Sequence, residues 1–562
     1  MDLSKLNAQQ REVVMASPGN VLCVASAGSG KTLAVVYKIA YEISERGMAP
    51  DSIVAMTFTN KAATEMRERV QARIGRMANE VYLGTIHKWC LLQIRSHWRE
   101  FKMLSPKIRI LDDYADVLYC LPDYEKIKDN KKLQEKISFL ANYFGRCVSY
   151  NEDIDPNASS DGDALRIYED MRKFQYENNV WTFDDFIYLV HKHLEDSEYY
   201  RKEISSKIRL LIVDEAQDSN RLQQLLAAKL TSVHGNLMAV GDDYQGIYGF
   251  RHANVEGFVE QAKEASVYKL EVNYRSLQGI VELGQAVIGY NHGVQIDKEV
   301  AAGRTDASEK PTLLLFPNDP GARTGVLVEN EIKHVARWVS DKVYSGTEPH
   351  EIAILFRSVR GDFSRLLQAE LALMRIPYVV RGGANIMNDK HVKAVIAACA
   401  VAGNFAIKKD WMHLLKLVPG IGAVGAGKIA SGQPDFPLMV SIAPPKVRDD
   451  LSKFFEVLKT MVTQHNSTEA CLNTFYRWYI DTLDRADQSM AVKIMSMLLA
   501  AFEGSASLTE AVQNFQINQQ EMAAHKKDKS GRVVIGTIHS SKGLEFENVW
   551  IPNVHDESCL LY

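Results

Sequence analysis

The chain has 562 residues, 46% hydrophobic and 24% charged, with a formal net charge of −4 at pH 7. At about 150 residues per domain this predicts several linked cores rather than one. The weak negative balance excludes whole-molecule attraction to a polyanion, so nucleic acid would need a locally basic groove. In chain order, "NVLCVA" (20–25) reads as a strand and "TLAVVYKIAYEISERG" (32–47) as an amphipathic helix closing on Gly47. "SIVAMTF" (52–58) is the next strand and "KAATEMRERVQARI" (61–74) the next helix, an alternation that predicts a parallel sheet with helices on both faces. Residues 91–180 read as a helical insertion. Strand signals return at "IRLLIVDEA" (208–216), "NLMAVGDD" (236–243) and "VYKLEVN" (267–273), and would complete the first sheet. A second series follows at "TLLLF" (312–316), "EIAILFRS" (351–358) and "PYVVRGG" (377–383). Residues 385–530 are again mainly helical, and "RVVIGTI" (532–538) and "ENVWIPNV" (547–554) read as a return to the second sheet.

The seven cysteines are scattered without a Cys-x-x-Cys pair, which argues against a disulfide framework or a zinc site. No apolar run approaches ~18 residues, and the start "MDLSKLNAQQ" lacks a secretory pattern, so no membrane partner is expected and the expected address is cytoplasmic.

Chemistry concentrates first in "ASAGSGKT" (25–32), between a strand and a helix, the context of a phosphate cradle. Ala27, Gly28, Ser29, Gly30, Lys31 and Thr32 form the nucleotide-binding set. The glycines let backbone N–H groups approach phosphate, Lys31 would reach the β/γ oxygens, and Thr32 would ligate Mg²⁺ at a favourable helix N-terminus. Ala25 stands where the usual first glycine would be, and a tight strand-to-helix turn is the alternative. "LLIVDEAQD" (210–218) strengthens the nucleotide reading, since a strand ending in adjacent acids presents both at the sheet's carboxyl edge. Asp214 would hold Mg²⁺ and Glu215 would orient or deprotonate the attacking water. A solvent-facing charge pair is the alternative.

Together with the segments that follow, these motifs make the chain resemble the UvrD/Rep/PcrA-type superfamily 1 DNA helicases. "LNAQQR" (6–11) is similar to the adenine-recognition segment, with Gln10 as the base-reading amide. "TFTNKAATEMRERV" (57–70) and "GTIHKWC" (84–90) resemble DNA-contacting motifs, and "VGDDYQGIYGFRHA" (240–253) the element linking both sites. "NYRS" (273–276), "ILFRS" (354–358) and "TIHSSKGLEF" (537–546) resemble motifs of the second lobe.

The resemblance implies an α/β fold of two RecA-like parallel-sheet lobes, each interrupted by a mainly helical accessory insertion. The boundaries would be 1–90 with 181–275, insertion 91–180, then 276–384 with 531–562, insertion 385–530. It implies an ATP-dependent helicase moving 3′→5′ on single-stranded DNA and acting at single/double-strand junctions, in repair or replication. Lys31, Glu215, Gln245 and Arg275 would be catalytic, with Gln245 and Arg275 reaching the γ-phosphate from opposite lobes. Tyr274 would stack on adenine and Glu545 would reach the ribose. Thr57, Phe58, Asn60, His87, Tyr248, Phe250, Arg251, Arg357, Thr537 and His539 would face the strand, aromatics stacking on bases. Core packing is the alternative for each aromatic and for His539. "VPGIGAVGAGKIA" (418–430) would grip duplex backbone or serve as a plain turn, and the acids of "WTFDDFIYL" (181–189) could be helix caps.

Three positions depart from the pattern: Leu33 where relatives usually carry arginine, Gly246 where serine is common, and Phe250 where tryptophan is common. The resemblance also implies a later segment with a transition-state arginine, whereas "IPNVHDESCLLY" (551–562) has none. The expectation is a truncated chain or an arginine supplied by a partner. The second case motivates an alternative: a nucleotide-gated, helicase-like subunit that regulates a partner nuclease in repair or phage defence.

Overall fold

The computed structural model describes residues 1–121, 131–159, 162–291, 293, 295–304, 310–316, 324–359, 363–364, 367, 370–371, 374, 376–381, 390–483, 488, 491, 495, 498–499, 502, 505, 507–522, 531–552 and 554. Its contacts divide into two units. The first holds Met1–Arg275, Asn291–Gly303 and Met387–Ile517; the second holds Ser276–Tyr290, Arg304–Ile386 and Asn518–Tyr562.

The first unit is built on β1 (Asn20–Ala25), β2 (Ile53–Thr57), β3 (Tyr82–Thr85), β6 (Leu210–Asp214), β7 (Leu237–Gly241) and β8 (Ser266–Leu270). They form one sheet in the order β3-β2-β6-β7-β1-β8, every pairing parallel. Its inner strands are near-continuous apolar runs because both faces are covered: β2 is buried throughout and β1 at every residue after Asn20. One face carries the helices Lys31–Ser44 and Asn60–Ile74, packed through Val35, Ile39, Met66 and Val70. The helices start where the sequence supplies caps. Thr59 accepts the N–H of Ala62, Thr85 that of Lys88, and Asn220 and Gln223 form a reciprocal box.

The first insertion, expected to be mainly helical, also contributes a short strand pairing. β4 (Arg109–Leu111) and β5 (Val180–Thr182) pair in parallel. Asp185 in "WTFDDFIYL" caps and anchors at once: it is fully buried, forms a capping box with Thr182, and accepts from Tyr114, Gln175 and Arg172. The helices of 387–517 belong to the first unit and join the first insertion through a buried ion pair. Arg109 donates to Asp410 from Nε at 3.1 Å and Nη2 at 2.6 Å. "VPGIGAVGAGKIA" supplies the turn that follows the helix Lys408–Leu415 and then the helix Ala423–Ala430, with Gly420 at φ 84° and Val424 74% exposed.

The second unit contains a four-stranded parallel sheet, β12 (Tyr378–Val380), β13 (Val533–Thr537), β11 (Ile352–Phe356) and β14 (Asn548–Trp550), in that spatial order. The predicted strand "TLLLF" does not form: residues 312–316 pair with no strand among the described residues, and Leu313 and Leu315 are 76% and 83% exposed. An apolar run becomes a strand only where a neighbour completes its ladder and a face is covered. The outer end of "PYVVRGG" and most of "IPNVHDESCLLY" lie outside the described residues. Among the described residues no helix is long and apolar enough to cross a membrane.

Candidate functional site

The predicted site residues of the first unit emerge at the carboxyl edge of the six-stranded sheet, in the order its strands dictate. His87 follows β3; Thr57, Phe58 and Asn60 follow or end β2; Asp214 and Glu215 lie at the end of β6. Gln245, Tyr248, Phe250 and Arg251 follow β7, and Ala27–Thr32 follow β1. Ligands bind at such an edge in open α/β sheets.

The loop after β1 turns through two left-handed glycines, Gly28 at φ 68° and Gly30 at φ 84°. Lys31 Nζ lies 3.2 Å from Glu215 Oε2. Burial opposes the lysine charge, but Glu215, Asp242 and Asp214 more than offset it and raise its pKa above the ordinary value. Asp214, buried and beside Glu215, is pushed well up from the usual carboxylate range by desolvation first and by the neighbouring charge second. Ser29 Oγ is buried with no hydrogen-bond partner among the described residues. A buried carboxylate disfavoured as an anion, near a threonine opening a helix and a lysine, is a donor set that fits a hard divalent cation and phosphate oxygens.

Three further segments converge on this loop. Gln10 is 3% exposed; its Nε2 donates to the Ser29 carbonyl at 2.9 Å and its Oε1 accepts the Asn7 N–H at 3.1 Å. Here Gln10 props the loop, with both ends of its amide engaged inside the protein. The Tyr274 hydroxyl accepts from Asn7 Nδ2 at 2.7 Å, and its N–H donates to the Gly28 carbonyl at 3.0 Å. Arg275 lies in the same unit as Gln245, in keeping with the expected lobe boundary at 275 and against the expected approach from opposite lobes. The cause is local: β9 (Val272–Asn273) pairs in parallel with β10 (Ala301–Ala302), and Asn273 Oδ1 accepts the Arg275 N–H at 2.8 Å.

A hydrogen-bonded chain runs sideways along the edge. Gln217 Nε2 donates to Glu215 Oε2 at 2.6 Å, and Gln217 Oε1 accepts the Asp242 N–H at 2.9 Å. Asp242 Oδ2 accepts from Gln245 Nε2 at 2.6 Å. Sequence reasoning singled out neither Gln217 nor Asp242, although both lie inside quoted motifs; their signal was a polar side chain at a buried strand end.

Beyond β7 the edge becomes aromatic. Phe58 and Tyr248 stack at 5.4 Å with 14° between planes, Phe250 meets Tyr248 edge-on at 5.9 Å, and Arg251 lies 5.7 and 5.9 Å from those two rings. Phe250 is 56% exposed, but Tyr248 is buried at 4% and Thr57 turns its hydroxyl onto the Thr59 carbonyl. His87 packs edge-on against Phe183, and desolvation pushes it down to about 4, so it is neutral at pH 7. In the second unit, Arg357 follows β11 and Thr537 ends the adjacent β13, where the Ile538 N–H reaches the Phe356 carbonyl at 2.8 Å. His539 lies two residues on, half-buried, and Glu545 is exposed on the same loop.

Family models match nearly the whole chain: the UvrD/REP helicase N-terminal domain over residues 6–266, and the UvrD-like helicase C-terminal domain over 268–438 and 444–559. The chain belongs to the UvrD-like helicase family. It is 26% identical over 600 residues to the ATP-dependent DNA helicase PcrA of Staphylococcus epidermidis, covering 99% of this chain and 78% of that one. The PcrA of Staphylococcus aureus is 26% identical over 608 residues with the same coverage. Two departures from the family pattern have local causes. A Cβ on Gly246 would meet Val255 Cγ2 at 2.4 Å, leaving no room for serine unless Val255 shifts. Leu33 packs against the small cluster of Leu6, Val14 and Tyr37.

Proposed function

We propose that the protein is an ATP-driven DNA helicase that translocates 3′→5′ along single-stranded DNA and separates strands at junctions. The observation that carries this reading is the continuous edge on which Lys31, Glu215, Gln217, Asp242 and Gln245 are joined by hydrogen bonds, with the Phe58–Tyr248–Phe250 cluster beyond them. The family membership supports the activity, and the resemblance supplies the polarity.

On this reading Lys31 and the loop N–H groups bind the β and γ phosphates of ATP, and Arg275 adds positive charge beside them. Thr32 and Asp214 hold Mg²⁺, which when bound neutralises phosphate charge. Glu215 takes the proton of the attacking water, and Gln245 senses the γ-phosphate. Phe250 and Arg251 meet the strand, with Asn60 and His87 further along the edge; on the second unit by itself, Arg357, Thr537 and His539 are the residues assigned to DNA. Opening a base-pair step costs ~1.4 kcal/mol and stacking a base returns ~1–3 kcal/mol. Binding alone can therefore melt a few pairs, but direction requires hydrolysis. The alternative of a subunit regulating a nuclease has no support in the family matches.

The test is ATP hydrolysis with and without single-stranded DNA, followed by strand displacement on duplexes bearing a 3′ or a 5′ tail. Stimulation lost in Lys31→Ala and Glu215→Gln, with unwinding from the 3′ tail only, is expected. Hydrolysis indifferent to DNA would overturn the reading, and unwinding from the 5′ tail would overturn the polarity.

A further inference from the structure

The segment Asn291–Gly303 belongs to the first unit, whereas the residues before it, Ser276–Tyr290, and after it, from Arg304, belong to the second. The chain thus comes back to the first unit for one short stretch, held there by two anchors. One is the β9–β10 pairing, which sets Ala302 opposite Asn273, next to Tyr274 and Arg275. The other is Lys298, whose side chain is 1% exposed. Its Nζ lies 2.5 Å from Asp242 Oδ1, 2.5 Å from Asp243 Oδ1 and 3.5 Å from the centroid of the Tyr244 ring. The Ile296 N–H donates to the other Asp243 oxygen at 2.9 Å.

Desolvating an ammonium is costly, and it persists inside a protein where opposite charge and hydrogen bonds surround it. Here three consecutive residues of the loop after β7 grip a single ammonium. The consequence for Asp242 is directional: Lys298 holds Oδ1, and Oδ2 accepts from Gln245 Nε2 at 2.6 Å. The same residue's N–H leads through Gln217 to Glu215 and Lys31. Lys298 is therefore bonded to the carboxylate that orients the γ-phosphate sensor, without itself belonging to any motif.

We propose that Lys298 is a positioning residue for ATP hydrolysis: it clamps Asp242 so that the Gln245 amide is held toward the nucleotide. This rests on the ATPase reading above. Because the Lys298 segment is joined covalently at both ends to residues of the second unit, the clamp also makes the position of Gln245 depend on that segment.

The experiment is steady-state ATP hydrolysis by the full chain with saturating oligothymidine, for Lys298→Met, Asp242→Asn, Gln245→Ala and the double variants Lys298→Met/Gln245→Ala and Asp242→Asn/Gln245→Ala. Asn at 242 keeps the shape but turns a donor toward Gln245 or Lys298, and Lys298 keeps Asp243, so this variant carries the test if Lys298→Met does not fold. Each single variant is expected to lower kcat about tenfold or more while KM for ATP moves less than about threefold, and each double variant to fall no further than Gln245→Ala alone. A merely structural lysine would give additive losses. Additive losses, or a folded Lys298→Met with wild-type kcat, would overturn the inference while leaving the ATPase reading intact. Wild-type protein without ATP hydrolysis would overturn both.

Discussion

Gly28 and Gly47 have nearly the same backbone, φ 68° and φ 66°, in different surroundings. A Cβ on Gly28 would lie 2.6 Å from Arg275 Cβ and 2.6 Å from Asn273 Oδ1, whereas one on Gly47 would meet nothing within 4 Å. Alanine at either site takes on the left-handed strain of about 1–2 kcal/mol. At Gly28 alone it also intrudes by about 1 Å on contacts whose optimum is ~3.5–4.0 Å, which costs a further ~1–3 kcal/mol of overpacking. Asn273 and Arg275 are the residues that must give way, and Tyr274 between them donates its N–H to the Gly28 carbonyl itself. Both variants are therefore expected to lose thermal stability, Gly28→Ala the more. The catalytic readings should separate cleanly: Gly47→Ala keeps kcat/KM for ATP, while Gly28→Ala loses about tenfold or more, equivalent to ~1.4 kcal/mol of transition-state stabilisation. Thermal unfolding and ATP hydrolysis measured on the pair decide the matter. If Gly28→Ala behaves like Gly47→Ala in both assays, the close approach of "NYRS" to the phosphate loop has no part in hydrolysis.

Phe250→Ala removes the exposed ring of the aromatic edge and should weaken single-stranded DNA by ~1–3 kcal/mol, seen by anisotropy of a labelled oligonucleotide; unchanged binding would place the strand elsewhere. Asp410→Ala leaves the Arg109 guanidinium buried without its partner and should destabilise the first unit by about 3–5 kcal/mol, read by denaturant unfolding; a stability equal to wild type would refute the buried pair. Burial, then repulsion from Asp185, raises Asp184 to about 6. Its folded form keeps its proton to higher pH than the unfolded chain, whose value is about 3.9, so this residue's contribution to stability declines as pH rises from about 4 to 6. Asp184→Asn should accordingly melt higher than wild type at pH 7.5 and the same near pH 4, and a gain independent of pH would disprove the assignment.

Much of this was legible because it is local. The alternation of strands and helices before residue 75 is a pattern within a few residues, and the structure forms it. What periodicity could not supply was partnership. "TLLLF" has the composition of a buried strand, but its ladder depends on a neighbour that no local pattern names. The role implied for Arg275 sets it opposite Gln245, whereas the expected boundary of the first lobe runs to 275. A two-residue pairing with Ala301 and Ala302 keeps it in the first unit. Tyr248 read as a stacking face, with core packing as the alternative, and its burial against Phe58 follows from three-dimensional neighbours alone. Lys298 carried no signal at all, since nothing in "VQIDKEV" (294–300) announces two aspartates more than fifty residues upstream.

The strand order gives the proposed coupling a physical form. β6 and β7 separate the phosphate loop after β1 from Phe58 after β2. A change at the nucleotide must therefore cross the ends of two strands to reach Phe58. The residues there are suited to transmit it, because Glu215, Gln217, Asp242 and Gln245 are linked by side-chain and backbone hydrogen bonds, and the two in the middle, Gln217 and Asp242, are buried. The chain after Gln245 then leads within three residues to Tyr248, which stacks on Phe58 and touches Phe250. A displacement of Gln245 on loss of the γ-phosphate would be carried by main chain, not by diffusion through side chains, into the ring stack. Gln217→Ala breaks this line at its middle without touching nucleotide or DNA. It should therefore lower the stimulation of ATP hydrolysis by single-stranded DNA more than it lowers basal hydrolysis. If both fall by the same factor, Gln217 acts on Glu215 alone and the line is not the route.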